Sequence, residues 1–553
     1  MENETNNPPP PNPRFRLWQW FRYDFFGIVR EMRLSYLPPL MVYFAYGVAG
    51  LTSIVGTFFV KDYLGLSAAF LAALAFWVNV PWALKMPIGH LVDLIWRFKS
   101  VLVFLGAGLI AVSLLIMIGL LSHTEAMRGV MPLGAWYVLS TLLAPVGYVI
   151  QDVVADAMTV EAVPRIDPAG RALPAGQIRL MHTTMQTLGR VAIVGGGIFV
   201  ALLNVFMFEG VENLDEQDKV GIYIDIYQIA LLIPVISVLG VTLGGWLKVR
   251  DTRRLVRKGF TWEKAWEMVS GRIERPAPNW WILGGSLVFV VFTITMGLSE
   301  VPYNQEIIFL GSMAIVIFLM VRLVRVLEPE ARRVLVGTAI IIFVYRAMPG
   351  PGPGSTWWMI DELDFDQHFL SVLSLISSSL ALFGMFIFRR FMAEKSIAYI
   401  MVFLTLISTV LTLPVVGMYY GLHEWTSAHT GGVVDARFIA LVDTALESPL
   451  GQVAMIPMLA WIANSAPANL KATFFAVMAS FTNLALSLAQ LGTKYLNEIF
   501  TVSREVKDAV SGAVTVPADY SELGILLITA TVITFVLPIA AVALVLGTRL
   551  KTA

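Results

Sequence analysis

The sequence has no cysteine in its 553 residues, which excludes disulfides, thiolate metal sites and cysteine nucleophiles. Histidine is scarce: the six residues at 90, 123, 182, 368, 423 and 429 show no ligand-like clustering, so no metal and no cofactor are expected. Charge is scarce too, at 14% against the roughly 25% usual in soluble domains. Its 39 basic and 39 acidic residues cancel, so nothing points to nucleic acid as a partner. There is no nucleophile elbow and no GKS or GKT phosphate loop, which argues against an enzyme or an ATP-driven pump. The first 35 residues hold a Pro-Asn tract and aromatic-Arg residues without the apolar core of a signal peptide. They are expected to form a cytoplasmic tail.

What is abundant is apolar sequence, 57% of residues, with a mean hydropathy of +0.73. Apolar runs of about 20 residues cross a bilayer as helices, and about fourteen are expected here, in an all-α integral membrane protein. Lys and Arg gather in cytoplasmic loops. The N-terminal tail, the loop with Arg97 and Lys99, the loop with Arg165 and Arg171, and the stretch from Lys248 to Arg275 therefore fall on the cytoplasmic side. The acidic runs Glu209–Asp218 and Asp361–Asp366 fall outside, and both termini lie in the cytoplasm.

The segment 248–275 carries nine basic and four acidic residues and reads as a linker against anionic headgroups. It divides the chain into an N-terminal six-helix bundle (36–247), the linker (248–279), an inserted pair of spans (280–326) and a C-terminal six-helix bundle (327–553). A weak repeat supports the pair of bundles. A span with Asp152 and Asp156 is followed by RLMHTTMQTLGR, and a span with Asp443 and Glu447 is followed by APANLKATFFAVMASFTN. Parallel six-helix repeats about a midplane site are the pattern of major facilitator transporters.

Charges inside spans cost at least about 2.5–3.5 kcal/mol each, so each needs a partner or a wet cavity. Arg190 and Arg346 are expected near the bilayer centre as solute-binding groups, since the planar guanidinium fork suits carboxylates; a structural pairing of Arg346 with Glu447 or Asp443 is the competing reading. Asp443 and Glu447, at i and i+4, are read as a proton-coupling pair. Lys85 is expected to neutralise Asp152 or Asp156 in a cytoplasmic gate that includes Asp93. His182, Gln186 and Arg190 form one polar stripe, followed by Gly195–Gly197; Ser480, Asn483, Ser487 and Gln490 form another. Of these, His182, Gln186, Asn483 and Gln490 join the two arginines as candidate solute contacts, with interhelical bonding as the bland reading of the first stripe.

The stretch Gly89-His90-Leu91-Val92-Asp93, with Arg97 and Lys99 after it, resembles a signature of major facilitator transporters. Together with residues 43–69, PWALKMPIGHLVDL at 81–94 and VIQDVVADAMTVEAVP at 149–164, it is similar to the folate–biopterin transporter family. On this resemblance Trp82, Lys85, Gly89, Asp93, Asp152 and Asp156 take family positions, with Glu161 near a trailing acid. Met86 before Pro87 and the extra pair of spans depart from the family pattern. The resemblance implies a folate- or pterin-like solute.

The expected function is therefore secondary active transport of an organic, anionic solute by alternating access, coupled to protons. The protein would be a monomer in the plasma (cell inner) membrane. A non-transporting assembly scaffold of the same fold is the alternative, and a dry, fully paired interior would mark it.

Overall fold

The computed structural model describes residues 32–552 apart from 60–65, 84, 96–97, 165, 168–170, 172, 271–279, 298–300, 326, 459–460, 462–470, 508–513 and 549. Arg97, Arg165, most of the N-terminal tail, the end of the linker and the side chains of Asp93, His182 and Gln186 lie outside the described residues.

The described chain is helical apart from a small antiparallel hairpin, β1 (Val506–Lys507) with β2 (Val514–Val516). Helix α1 (Leu37–Val48) passes through a 3-10 turn into α2 (Ser53–Phe59). Next come α3 (Ala68–Ala83), α4 (Lys85–Leu94), α5 (Lys99–Ser122), α6 (Leu133–Ala162), α7 (Ala175–Met207), α8 (Glu216–Ala230) and α9 (Leu232–Val256). In the linker, α10 (Trp262–Ser270) packs back on α9. Then follow α11 (Trp280–Gly297), α12 (Asn304–Val324), α13 (Pro329–Arg346), α14 (Pro353–Asp361) and α15 (Gln367–Ile387). The last are α16 (Ile397–Tyr419), α17 (Ala436–Glu447), α18 (Lys471–Ile499) and α19 (Leu523–Gly547).

Among the described residues, ten helical stretches are long and apolar enough to cross a membrane. The segments Ala68–Trp82 and Leu283–Thr293 are apolar but shorter. α13 opens with Glu330, Arg332 and Arg333, which dilute its apolar run. A Leu, Val and Phe surface points outward along many of these helices, for example Leu287, Val288 and Val291 on α11, as lipid-facing residues do.

Members of the acidic runs expected outside, together with Asp435, have a local task. Asp215, Asp366 and Asp435 each precede a helix and accept a hydrogen bond from the backbone N–H three residues on. Each satisfies an otherwise unpaired donor and sets negative charge against the positive helix end. Glycine lets helices approach closely at one crossing in particular. A Cβ on Gly47 of α1 would stand 2.1 Å from the Ile193 carbonyl of α7, and one on Gly196 would stand 2.6 Å from the Phe44 carbonyl. Of the Gly195–Gly197 run, then, Gly196 serves that crossing, while Gly197 faces Ser378 of α15.

One expected span is shorter than its apolar run, and another is interrupted. The span expected over 333–354 starts at Pro329 and stops at Arg346, because Pro349, Pro351 and Pro353 alternate with Gly350 and Gly352 and cannot continue a helix. The span expected over 437–463 is interrupted: its α-helix ends at Glu447, a 3-10 turn at Ser448–Leu450 contains Pro449, a turn follows at 451–454, and helix resumes at 455–458, so that Ala436–Met458 remains long enough to cross. Interrupted helices at membrane depth persist only where protein or a wet cavity satisfies the freed backbone groups.

Long-range packing joins early helices to late ones. α3 runs along α18, and α7 runs along α15. At one end of the second contact Gln367 donates to the Tyr223 hydroxyl at 2.8 Å.

Candidate functional site

α1, α4 and α6 bring four polar side chains together. Lys85 Nζ lies 2.6 Å from Asp152 and 2.9 Å from Asp156. Asp156 also accepts from the Tyr43 hydroxyl at 2.5 Å. The one-turn spacing of Asp152 and Asp156 on α6 turns both carboxylates towards the same ammonium, which offsets their mutual repulsion. The expected pairing of Lys85 thus forms with both acids. The side chain of Asp152 is 10% exposed and that of Asp156 42%, so one carboxylate is sealed and the other faces open space. Arg190, from α7, is close enough for its charge to act on Asp152.

Aromatic rings pack beside this network. Tyr46 meets Trp82 and Tyr148 edge-on, at 5.5 Å and 5.8 Å between centroids. A second ionic cluster lies beyond it: Glu161, at the end of α6, takes Lys99 of α5 at 2.6 Å and Lys248 of α9 at 2.5 Å. Neither Tyr43 nor this Glu161 clamp was identified from sequence as a partner. Tyr43 has an ordinary helical setting, and Glu161 stood out only through the family resemblance.

Arg346 sits at the last residue of α13, where a cation suits the negative helix end. Its Nη1 reaches the sulfurs of Met455 and Met458, at 3.8 Å and 3.3 Å. Both methionines lie just past the interruption of the span that begins with α17. Thioether sulfur is a weak acceptor. Among the described residues no carboxylate lies within ion-pair distance of Arg346, so the structural pairing with Glu447 or Asp443 is not formed. Phe343, one turn earlier, stacks with Phe481 of α18 at 4.9 Å. Among the described residues the guanidinium has sulfur and apolar neighbours and no counter-charge.

Asp443 and Glu447 remain together on α17, and Glu447 acts electrostatically on Tyr345 beside Arg346. One oxygen of Asp443 is buried without a hydrogen-bond partner. Glu447 is exposed and ends its helix, where the macrodipole disfavours an anion.

The α18 stripe faces its neighbour more than a cavity. Ser480 and Ser487 are fully buried, and Asn483 donates to the Trp82 carbonyl of α3 at 3.1 Å. Gln490 is partly buried on the same helix. On α7, Arg190 is described, whereas His182 and Gln186 share its face by spacing alone. Among the described residues, no group of three acidic or histidine side chains is arranged to hold a metal.

Comparisons with known proteins give a consistent picture. A family model described as the BT1 family matches residues 46–552. A curated relative from Synechocystis sp., the protein named folate-biopterin transporter, is 24% identical over 453 residues, covering 81% of this chain and 72% of the relative. Among solved structures, a POT family transporter in complex with 5-aminolevulinic acid superimposes with a TM-score of 0.56 at 12% identity, over 92% of this chain and 95% of that one. A variant of the nucleoside transporter NupG matches with a TM-score of 0.53 at 12% identity, over 92% of this chain and 99% of that one. Likeness at these identities concerns the fold.

Proposed function

Because the chain belongs to the BT1 family, we propose that it is a secondary active transporter of an organic anion of the folate or pterin class. In this reading fourteen spans form two six-helix bundles, 36–247 and 327–553, with 280–326 inserted between them. The bundles rock about the α3–α18 and α7–α15 contacts to expose the solute alternately to each side.

The observation that carries the proposal is Arg346. A guanidinium at membrane depth without a carboxylate is costly, and a solute carboxylate supplies the missing charge through a bidentate pair. Arg190, with Gln186 and His182 on its face of α7, and Gln490 on α18 would complete the solute contacts. Among the described residues, a cation at Arg346 without a counter-charge and an Asp443 oxygen without a hydrogen-bond partner favour transport over a fully paired scaffold.

The Lys85–Asp152–Asp156–Tyr43 network, with Asp93 nearby in sequence, would brace the gate of the first bundle. Trp82, whose carbonyl accepts from Asn483, is three residues before Lys85, so the brace reaches the line along which the bundles meet. The protein would act as a monomer in the cell inner membrane with both termini in the cytoplasm. A reporter inserted at 209–220 should then be extracytoplasmic and one at 250–275 cytoplasmic; a cytoplasmic 209–220 contradicts that orientation.

Proton coupling is assigned to Glu447 with Asp443. Glu447→Gln keeps size and much of the hydrogen bonding while removing titration. Uptake driven by a pH gradient should fall to the rate seen without a gradient, while exchange of solute for solute survives. Loss of exchange as well would place Glu447 in the solute site, and unchanged gradient-driven uptake would remove it from coupling altogether.

A further inference from the structure

The inserted pair does more than fill space beside the bundles. α11 packs against α4, before the linker, and α12 packs along α18, after it. At the first turn of α12, two adjacent side chains reach in different directions. Gln305 Nε2 donates to the Ala73 carbonyl of α3 at 3.2 Å. Glu306 accepts from the Tyr495 hydroxyl of α18 at 2.5 Å and from Lys494 Nζ at 3.3 Å. One helical turn is therefore bonded to both sides of the α3–α18 contact, at the end of the molecule where α3 begins and α18 finishes.

The two bonds differ in strength. The Glu306 side has a charge-assisted bond, a hydroxyl bond and the long α12–α18 packing behind it, which makes it an anchor. The Gln305 side has one neutral amide bond. Gln305 is 7% exposed, and its Oε1 is buried with no hydrogen-bond partner. A single neutral bond is worth less than the charge-assisted and hydroxyl bonds on the Glu306 side, so this contact is the first to break. Separation of α3 from α18 at this end must break it, whereas tilting at the opposite end leaves it intact.

We propose that α12 is a strap across the two bundles, with Glu306 as its anchor and Gln305 as a latch that holds this end closed until transport opens it. Both are positioning residues: they set the balance between the two open states without touching the solute. The proposal rests on the alternating-access reading.

The absence of cysteine makes the test direct. Single cysteines at Ala126 and Ala428, exposed and on the short helices that follow α5 and α16 at this same end, carry spin labels in nanodiscs, and electron–electron distances are measured without added solute. The otherwise unchanged protein should show a dominant short distance and a minor long one. Gln305→Leu should raise the long-to-short ratio about fivefold, the effect of losing one net hydrogen bond, and Gln305→Met should do the same with an unchanged melting temperature. Glu498→Gln, which removes only the more distant partner of Lys494 at 3.9 Å, should leave the ratio as it was. Two populations whose ratio is unmoved by either Gln305 variant would overturn the strap alone. A single unchanging distance in every variant would overturn alternating access and the strap with it.

Discussion

Replacing Lys85 with methionine is expected to destabilise the folded protein by about 3 kcal/mol, at the lower end of the range for removing one member of a buried ion pair. Lys85 neutralises two carboxylates at once. Without it Asp152 is left beside Asp156 with little water, and each carboxylate raises the cost of the other. The more open side chain of Asp156 lets solvent recover part of that loss, which is why the lower figure applies. In detergent the melting temperature should drop on the order of 5 °C. Adding Asp152→Asn and Asp156→Asn to Lys85→Met should return most of the stability, because the uncompensated charges are then gone. A single Lys85→Met variant that melts with the unsubstituted protein would show that the network does not hold α4 to α6.

Arg346→Gln should have the opposite signature: little or no loss of stability and a large loss of binding. Its guanidinium touches Met455 and Met458 and, among the described residues, no carboxylate. Removing the charge therefore breaks no protein ion pair and relieves its burial. If Arg346 holds the solute anion, truncating that buried charge pair should cost about 2–4 kcal/mol of binding, roughly 30- to 1,000-fold in affinity. Folate binding followed by tryptophan quenching, beside a thermal melt, checks both halves. Intact affinity would move the anion site to Arg190, and a marked loss of stability would mean that Arg346 is structural.

The pairing of Lys85 with Asp152 and Asp156 was readable because charge in an apolar run demands a counter-charge, and the i, i+4 spacing put both acids on one face. Other features depend on which helices meet, which spacing does not encode. The α18 stripe looked like a cavity lining, but Asn483 bonds to the Trp82 carbonyl across the α3–α18 contact. The same sequence pattern serves either purpose, and the neighbouring helix decides. Arg346 was expected inside a span; it ends one, since the Pro-Gly alternation from Pro349 was read as part of an apolar run instead of as a stop. The break after Glu447 was carried by Ser448, Pro449 and Gly451, visible in sequence but outweighed by mean hydropathy. The hairpin at Val506–Val516 is too short for any periodic signal. Tyr43 and the methionines at Arg346 gave no signal, because tyrosine and methionine in an apolar helix are ordinary core residues.

The central claim is that this chain carries a folate- or pterin-class anion across a membrane. Purified protein in sealed liposomes, with radiolabelled folate or a reduced pterin outside and the external medium more acidic than the lumen, measures it most directly. The account predicts saturable uptake that is faster with the gradient than without it and that falls to the level of empty liposomes in Arg346→Gln. Equal accumulation in protein-containing and empty liposomes, for folates and pterins alike and with the reconstituted protein shown to be folded, would contradict it.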